Sequence, residues 1–323
     1  MRSRFSAIGI CIFAGMLAGC STSKPGAPAN AADASSDGTG GMGGGGGDAA
    51  VSGCGASTIA SGTFNFTFDN VQYSYIVHLS PSYDGSKPAP LVLNWHASTR
   101  NASAEESYTN MDPVADANGW VLVYPNSPDG LWNALRQGDP SRDDIGFAVA
   151  LVNQIKSEAC IDPKRIYTTG FSAGAFMSYA LGCEHAELFA AIAPVGGKVA
   201  VPNCQPSRSV PVMAFNGTAD PRVDYDAGGV PSLPSVLDTV TAWATRDSCT
   251  VGPDQTQMGT VTCQTWSSCD AGATVTLCTA EGEGHCWPGS PVVCGTTEGF
   301  GTGTNDIDAT TQIAAFFTKF SLP

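Results

Sequence analysis

The sequence predicts an α/β fold, in which a mostly parallel β-sheet in a single domain is covered by helices on both faces. Residues 91–95 and 120–124 are almost continuously apolar, as is typical of strands buried on both faces. From residue 145 onward, such runs alternate with helical patterns of about ten residues, as they do in βαβ units. Residues 54–323 have no internal low-complexity break and are about the size of one α/β domain.

The predicted elements follow one another along the chain. Strands over residues 64–68 and 73–79 are rich in β-formers, and the strand 91–95 follows two prolines. A short helix over 111–118 precedes the strand 120–124. The later elements are helix 145–158, strand 165–169, helix 175–181, strand 188–194, strand 210–215, helix 236–244, strand 274–277 and helix 310–320.

Residues 1–19 are predicted to be a lipoprotein signal peptide. Two arginines precede an apolar run that is too short to span a bilayer, and the sequence Leu-Ala-Gly-Cys follows it and ends at Cys20. This is the pattern of bacterial lipoproteins, which are cut before the cysteine and carry lipid on its thiol. An ordinary signal with a chance cysteine is the alternative. Because Ser21 follows, the pattern favours anchoring to the outer membrane or release to the exterior.

Residues 20–53 are predicted to be a tether, since they are rich in Gly, Ala, Ser and Pro and have almost nothing apolar to bury. The formal net charge of −14 argues against nucleic acid as a partner, so we expect contact with the membrane through the lipid anchor only. The ten cysteines after Cys20 form no CxxC pair, and the chain has only four histidines. These features favour disulfides over zinc, and no cofactor is expected.

Ser172 lies in the pattern Gly170-Phe-Ser-Ala-Gly174, between the strand 165–169 and the helix 175–181. A G-x-S-x-G pattern alone is weak in a chain rich in glycine, but the strand, tight turn and helix together predict a nucleophile elbow. The flanking glycines fit because a Cβ would clash in so sharp a turn. The alternative is a glycine turn with an inert serine.

The predicted acid and base follow in chain order. Asp220 comes after the strand 210–215, where a carboxylate can orient an imidazole, and Asp224 is its competitor. His285 is the only histidine after it, whereas solvated or structural roles suit His96 and His185. The order Ser172, Asp220, His285 is that of the α/β-hydrolase fold.

Backbone N–H groups are predicted to form an oxyanion hole. Ala173 supplies one donor because it follows the nucleophile at a helix N-terminus, and the second comes from the loop after residue 95, with Ser98 favoured over Thr99. The candidate substrate contacts are residues next to these positions, namely His96, Phe171 and Trp287.

The motifs around Ser172 and His285, together with the segments 143–147, 160–167 and 189–194, resemble the polyhydroxybutyrate depolymerase and feruloyl esterase family, which is close to carbohydrate esterase family 1. The resemblance covers nearly all of residues 54–323 and implies a serine ester hydrolase acting through an acyl enzyme. Ala97 departs from the family's usual glycine after His96. Cys286 follows the predicted base as in tannase-like esterases, but Phe171 stands where their partner cysteine would be.

The resemblance leaves the substrate open, so three hypotheses remain. The first is an esterase that acts on feruloyl or acetyl groups of plant polysaccharide, and the second is a depolymerase of poly(3-hydroxybutyrate) or its oligomers. The third is a surface lipoprotein without catalytic activity. A deep pocket for an aromatic acyl group would favour the first hypothesis, and an exposed apolar groove the second. The sequence does not predict the oligomeric state.

The geometry of the elbow predicts a disulfide between Cys160 and Cys183. A strand rises about 3.3 Å per residue and a helix about 1.5 Å, so a strand up and a helix down bring both cysteines to one edge of the sheet. Cys204 enters the strand that precedes Asp220, lies at the same edge and is the rival partner for either cysteine. The remaining predicted pairs are Cys249 with Cys269, Cys263 with Cys278, Cys286 with Cys294, and Cys54 with Cys204.

Overall fold

A ten-stranded sheet forms the centre of the computed structural model, which describes residues 54–55, 57–135, 139, 141–228, 232–295 and 299–323. The predicted signal peptide, Cys20 and the tether lie outside these residues. The strands are β1 (Gly62–Phe68), β2 (Val71–Leu79), β3 (Ala89–Trp95), β4 (Val121–Asn126), β5 (Ile161–Phe171), β6 (Ala191–Val195), β7 (Val212–Gly217), β8 (Val251–Met258), β9 (Val261–Ser267) and β10 (Val275–Ala280).

The strand order is β1-β2-β4-β3-β5-β6-β7-β10-β9-β8. All pairs from β4 to β10 in this order are parallel, and antiparallel pairs add β1 and β2 at one edge and β9 and β8 at the other. The predicted fold class, a mostly parallel sheet in a single domain, is therefore confirmed. Parallel strands place their carboxyl ends at one edge of the sheet, where ligands bind in folds of this class.

Within the described ranges, six α-helices flank the sheet: α1 (Ala102–Thr109), α2 (Asp112–Asn118), α3 (Asp144–Glu158), α4 (Ala173–Glu184), α5 (Val236–Arg246) and α6 (Ala309–Phe317). Alternate residues of β3 enter opposite cores, since Leu91 and Leu93 belong to the cluster that also holds residues of α3, α4 and α5, whereas Val92 belongs to the one that holds residues of α2 and α6. Helices thus cover both faces, as the continuous apolar strands predicted. Among the described residues, no helix combines the length and the hydropathy needed to cross a membrane.

Several elements differ from the prediction. Helix α1 and the hairpin of β8 and β9 were not predicted, because α1 buries only Ala102, Glu105 and Thr109 and β8 is exposed along nearly its whole length. Strand β6 begins at Ala191 rather than at residue 188. Leu188 lies in a turn, where its backbone N–H group donates to His185 O.

Five disulfides join the described cysteines, and three match the predicted pairs: Cys249–Cys269, Cys263–Cys278 and Cys286–Cys294. The predicted pairing of Cys160 with Cys183 is wrong, as is that of Cys54 with Cys204. The structure joins Cys54 to Cys160 and Cys183 to Cys204, with Cα atoms 4.2 Å and 5.1 Å apart. Five disulfides fit an extracytoplasmic protein.

The segment after Cys54 explains the error. Its Thr58 N–H group donates to Glu158 O at the end of α3, 2.9 Å away, which brings the start of the domain beside Cys160. Cys204, the rival in the prediction, is then left for Cys183. The expectation that helix α4 brings Cys183 back to the edge where the parallel strands begin fits its disulfide partner, because Cys204 lies before the start of β7.

Candidate active site

Ser172 lies in a sharp turn between β5 and α4. Its backbone angles, φ 55° and ψ −113°, are in a strained region that non-glycine residues rarely adopt. A Cβ atom on Gly170 or Gly174 would overlap the backbone carbonyl of Trp95, so both positions require glycine. The strand, turn and helix that the sequence predicted are present, and the serine side chain is held at the carboxyl end of the sheet.

Asp220 and His285 form a buried pair in the loops that follow β7 and β10. His285 Nδ1 donates to Asp220 Oδ2 at 2.7 Å. The other oxygen, Oδ1, accepts from the backbone N–H groups of Arg222 and Val223 at 2.7 Å and 2.8 Å. Both carboxylate oxygens are thus engaged, which fixes the orientation of the carboxylate toward the imidazole. The competitor, Asp224, is exposed and accepts from Lys198 through its backbone carbonyl.

The imidazole of His285 is held between aromatic side chains. Its ring centre lies 4.7 Å from that of Phe171 and 6.1 Å from that of Phe300, and its backbone N–H group donates to Phe300 O at 2.6 Å. The disulfide Cys286–Cys294 anchors the loop that follows. Because Nδ1 is bonded to Asp220, Nε2 is the ring nitrogen left for proton transfer.

The backbone N–H groups predicted as oxyanion donors differ in whether they are already hydrogen-bonded. Ala173 is the first residue of α4, where backbone N–H groups have no partner within the helix. Thr99 is unsuited, because its N–H group donates to Gly130 O at 2.7 Å in a backbone conformation with φ 61°. Ser98 remains, since its N–H group makes no hydrogen bond within the part of the chain that the structure describes.

The structure places the three predicted substrate contacts in different surroundings. Phe171 lines the cavity beside Ser172, whereas His96 and Trp287 do not and are almost fully buried. His96 Nδ1 donates to Ala97 O at 2.8 Å, and Nε2 accepts from Ser127 N–H at 3.2 Å. Burial lowers the pKa of His96 to about 4, so the ring is neutral and braces the loop after β3.

Trp287 has a structural role as well. Its indole N–H group donates to Thr310 Oγ1, and its backbone N–H group donates to Tyr108 Oη, both at 3.0 Å. Three segments are thus joined, namely α1, the loop of His285 and the start of α6. The sequence signal for substrate contact was proximity in the chain, which does not show on which side of the loop a side chain lies.

A cavity of about 950 Å³ opens above Ser172, in the upper part of the range for small-molecule sites. Sequence reasoning did not single out several of its lining residues, among them Glu105 and Tyr108, because they lie on the unpredicted helix α1. The lining of the cavity includes Ser172 and His285 together with four aromatic side chains: Tyr108, Phe171, Phe176 and Phe300.

A second buried acid stands close to the Asp220 and His285 pair. Glu283 is 3% exposed, and its Oε1 accepts from Thr304 N–H at 3.1 Å. Burial and, to a smaller extent, the nearby charge of Asp220 raise the pKa of Glu283 to about 8, although the hydrogen bond from Thr304 N–H lowers it. Glu283 is therefore largely protonated at neutral pH and adds little negative charge beside Asp220.

Residues 73–279 match the model of a family described as Esterase PHB depolymerase. The chain belongs to this family. The matched residues include Ser172 and Asp220, and they end six positions before His285. Membership of this family favours an ester hydrolase over a lipoprotein without catalytic activity.

Individual relatives of this esterase agree with that assignment. Feruloyl esterase B of Piromyces equi is 33% identical in an alignment 230 residues long, which covers 65% of this chain and 42% of the relative. The bifunctional acetylxylan esterase/xylanase XynS20E of Neocallimastix patriciarum is 28% identical in an alignment 217 residues long, which covers 65% of this chain and 30% of the relative. The esterase thus spans less than half the length of these two relatives.

Solved structures support the fold. The acetyl xylan esterase from Aspergillus awamori superimposes with a TM-score of 0.56 at 15% identity, covering 73% of this chain and 97% of its own. A thermostable esterase superimposes with a TM-score of 0.54 at 18% identity, covering 81% of this chain and 63% of its own. At these identities the likeness concerns the fold alone.

Proposed function

We propose that this esterase hydrolyses feruloyl or acetyl esters of plant polysaccharide through an acyl enzyme on Ser172. The observation that carries the catalytic part is the 2.7 Å hydrogen bond between His285 and Asp220, in a pair buried beside the strained elbow of Ser172. Both Ser172 and His285 line the same cavity. No cofactor is required by this chemistry.

Each residue has one task in the proposed reaction. His285 Nε2 takes the proton of Ser172 Oγ as that oxygen attacks the ester carbonyl carbon. The N–H groups of Ala173 and Ser98 donate to the resulting oxyanion. When the carbon–oxygen bond breaks, His285 returns the proton to the departing alcohol, and water then attacks the acyl enzyme by the same route. Asp220 holds the imidazole in position and stabilises its charged form.

The acyl specificity is argued from the cavity and from the relatives. Tyr108, Phe171, Phe176 and Phe300 line the space around Ser172, and aromatic walls suit a planar aromatic acyl group. Two relatives are named for feruloyl and acetylxylan ester cleavage. These features favour a polysaccharide ester over a polyester.

A second candidate, hydrolysis of poly(3-hydroxybutyrate) or its oligomers, is favoured by the rim of the cavity. Val292 and Val293 are 47% and 88% exposed and stand beside the disulfide Cys286–Cys294. Exposed apolar side chains at the mouth of a site are what adsorption to a polyester surface would use. The description of the matching family names the same polymer class.

Side-by-side hydrolysis of methyl ferulate, naphthyl acetate and 3-hydroxybutyrate trimer separates the two candidates. We expect kcat/KM for methyl ferulate to exceed that for the trimer by at least about tenfold, which corresponds to about 1.4 kcal/mol of transition-state binding in the aromatic cavity. Naphthyl acetate serves as the control for general esterase competence. A higher kcat/KM for the trimer would contradict the polysaccharide assignment and favour the polyester.

We further propose that the mature protein is anchored to the bacterial outer membrane through lipid on Cys20. Replacing Cys20 with Ala is expected to move the esterase from the membrane to the soluble fraction. The variant lacks the thiol that would carry lipid, and multiple acyl chains are what give stable membrane anchoring. Cys11→Ala is the matched control, since Cys11 lies in the predicted signal and leaves with it. Fractionation and immunoblotting measure the result, and unchanged membrane partition of Cys20→Ala would contradict the proposal.

A further inference from the structure

Glu105 is a carboxylic acid buried at the wall of the active-site cavity. Its side chain is 2% exposed, although it lines the cavity together with Ala97, Phe171 and Ser172. Within the described residues, its Oε1 atom makes no hydrogen bond. An acid buried in this way costs free energy, and the catalytic steps proposed above do not use it.

The surroundings of Glu105 connect two parts of the site. Burial raises the pKa of its carboxyl well above the ordinary value, whereas the nearby backbone N–H groups of Ala97 and Phe171 and the charge of Arg100 act in the opposite direction. Ala97 directly precedes Ser98, and Phe171 directly precedes Ser172. One carboxyl thus stands between the loop of the second oxyanion donor and the nucleophile elbow.

Helix α1 holds Glu105 in a fixed place. Asn101 caps the helix, with its side chain accepting from Ala104 N–H at 2.9 Å, and Glu105 N–H donates to Asn101 O at 3.0 Å. Thr109 Oγ1 donates to Glu105 O and accepts from Asn94 Nδ2 of β3, both at 2.9 Å. The carboxyl is therefore carried by a backbone that is bonded to the central sheet.

We propose that Glu105 is a positioning residue, whose carboxyl joins the loop of Ser98 to the elbow of Ser172 and so sets the oxyanion donors relative to the nucleophile. The inference rests on the proposed function, since it assumes these two donors and this nucleophile. An uncharged carboxyl offers one acceptor and one O–H donor, and the amide of glutamine offers the same two functions in nearly the same shape. Glutamine should therefore replace Glu105 with little loss.

Four variants test the role. We expect Glu105→Gln to keep kcat for naphthyl acetate within about threefold of the wild type, and Glu105→Leu to lose about 10²-fold in kcat with KM nearly unchanged, because oxyanion contacts act in the transition state. Glu105→Asp withdraws the carboxyl by one methylene and should lose about tenfold in kcat. Glu106→Gln is the matched control, since Glu106 is on the same helix and does not line the cavity.

The rate of labelling by a fluorophosphonate gives a second readout, because that reaction also builds negative charge at the oxyanion donors. We expect it to fall in parallel with kcat in Glu105→Leu and Glu105→Asp and to recover in Glu105→Gln. Wild-type kcat and labelling in Glu105→Asp, a change in KM alone, or equal losses in the Gln and Leu variants would overturn the inference. Full labelling of Ser172→Ala would instead show that the proposed nucleophile is wrong.

Discussion

Replacing Ser172 with Ala is expected to reduce kcat for ester hydrolysis by at least about 10³-fold while the protein remains folded. The variant loses the oxygen that forms the acyl enzyme, whereas the cavity and the oxyanion donors stay in place. Initial rates on naphthyl acetate and thermal unfolding measure the two parts of this result. Activity above about a tenth of the wild type would contradict the assignment of the nucleophile.

The strained backbone of Ser172 supplies a matched control for stability. Alanine keeps a Cβ at φ 55°, so Ser172→Ala should unfold at nearly the same temperature as the wild type. Glycine adopts this conformation without the clash, and Ser172→Gly should be about 1 kcal/mol more stable than Ser172→Ala. Both variants lack the nucleophile and should be equally inactive. If Ser172→Gly were no more stable than Ser172→Ala, the backbone conformation at the elbow would not destabilise the folded protein.

The parts of the fold that sequence reasoning found are those with a strong periodic signal. Strand β3 is buried at all seven positions, and its almost continuous apolar run after two prolines predicted a buried strand. Helix α1 carries no such signal, because Glu105 and Thr109 occupy positions that would be apolar in a typical core helix. Glu105 and Tyr108 were therefore missed as members of the site, and the cap residue Asn101 was the one local signal of this helix.

The spacing of cysteines along the chain is sufficient to predict some of the disulfides but not others. Cys263 and Cys278 are direct neighbours across the β9 and β10 pair, so a short separation in the chain brings them together. Cys54 and Cys160 are 106 residues apart, and the segment of Cys54 belongs to no predicted element. Its position depends on tertiary hydrogen bonds, which no local pattern contains. The error left the candidates for nucleophile, acid and base unaffected, because these follow from chain order relative to the strands.

The base is tested by comparing two histidines in different surroundings. His285 is buried against Asp220 at the catalytic edge, whereas His185 lies at the opposite end of α4 from Ser172 and contacts Glu187 Oε1 at 3.1 Å. His285→Ala should lower kcat by at least about 10³-fold, because the variant lacks the imidazole that takes the proton of Ser172 in the proposed reaction.

His185→Ala should leave kcat within about twofold, since its solvated pair with Glu187 contributes little even to stability. The two variants should both remain folded, which circular dichroism and thermal unfolding can verify, so that a difference in rate reflects chemistry. Labelling by a fluorophosphonate should be slow in His285→Ala and normal in His185→Ala, because the reagent also requires an activated serine. Equal losses in the two variants would mean that a group other than His285 activates Ser172.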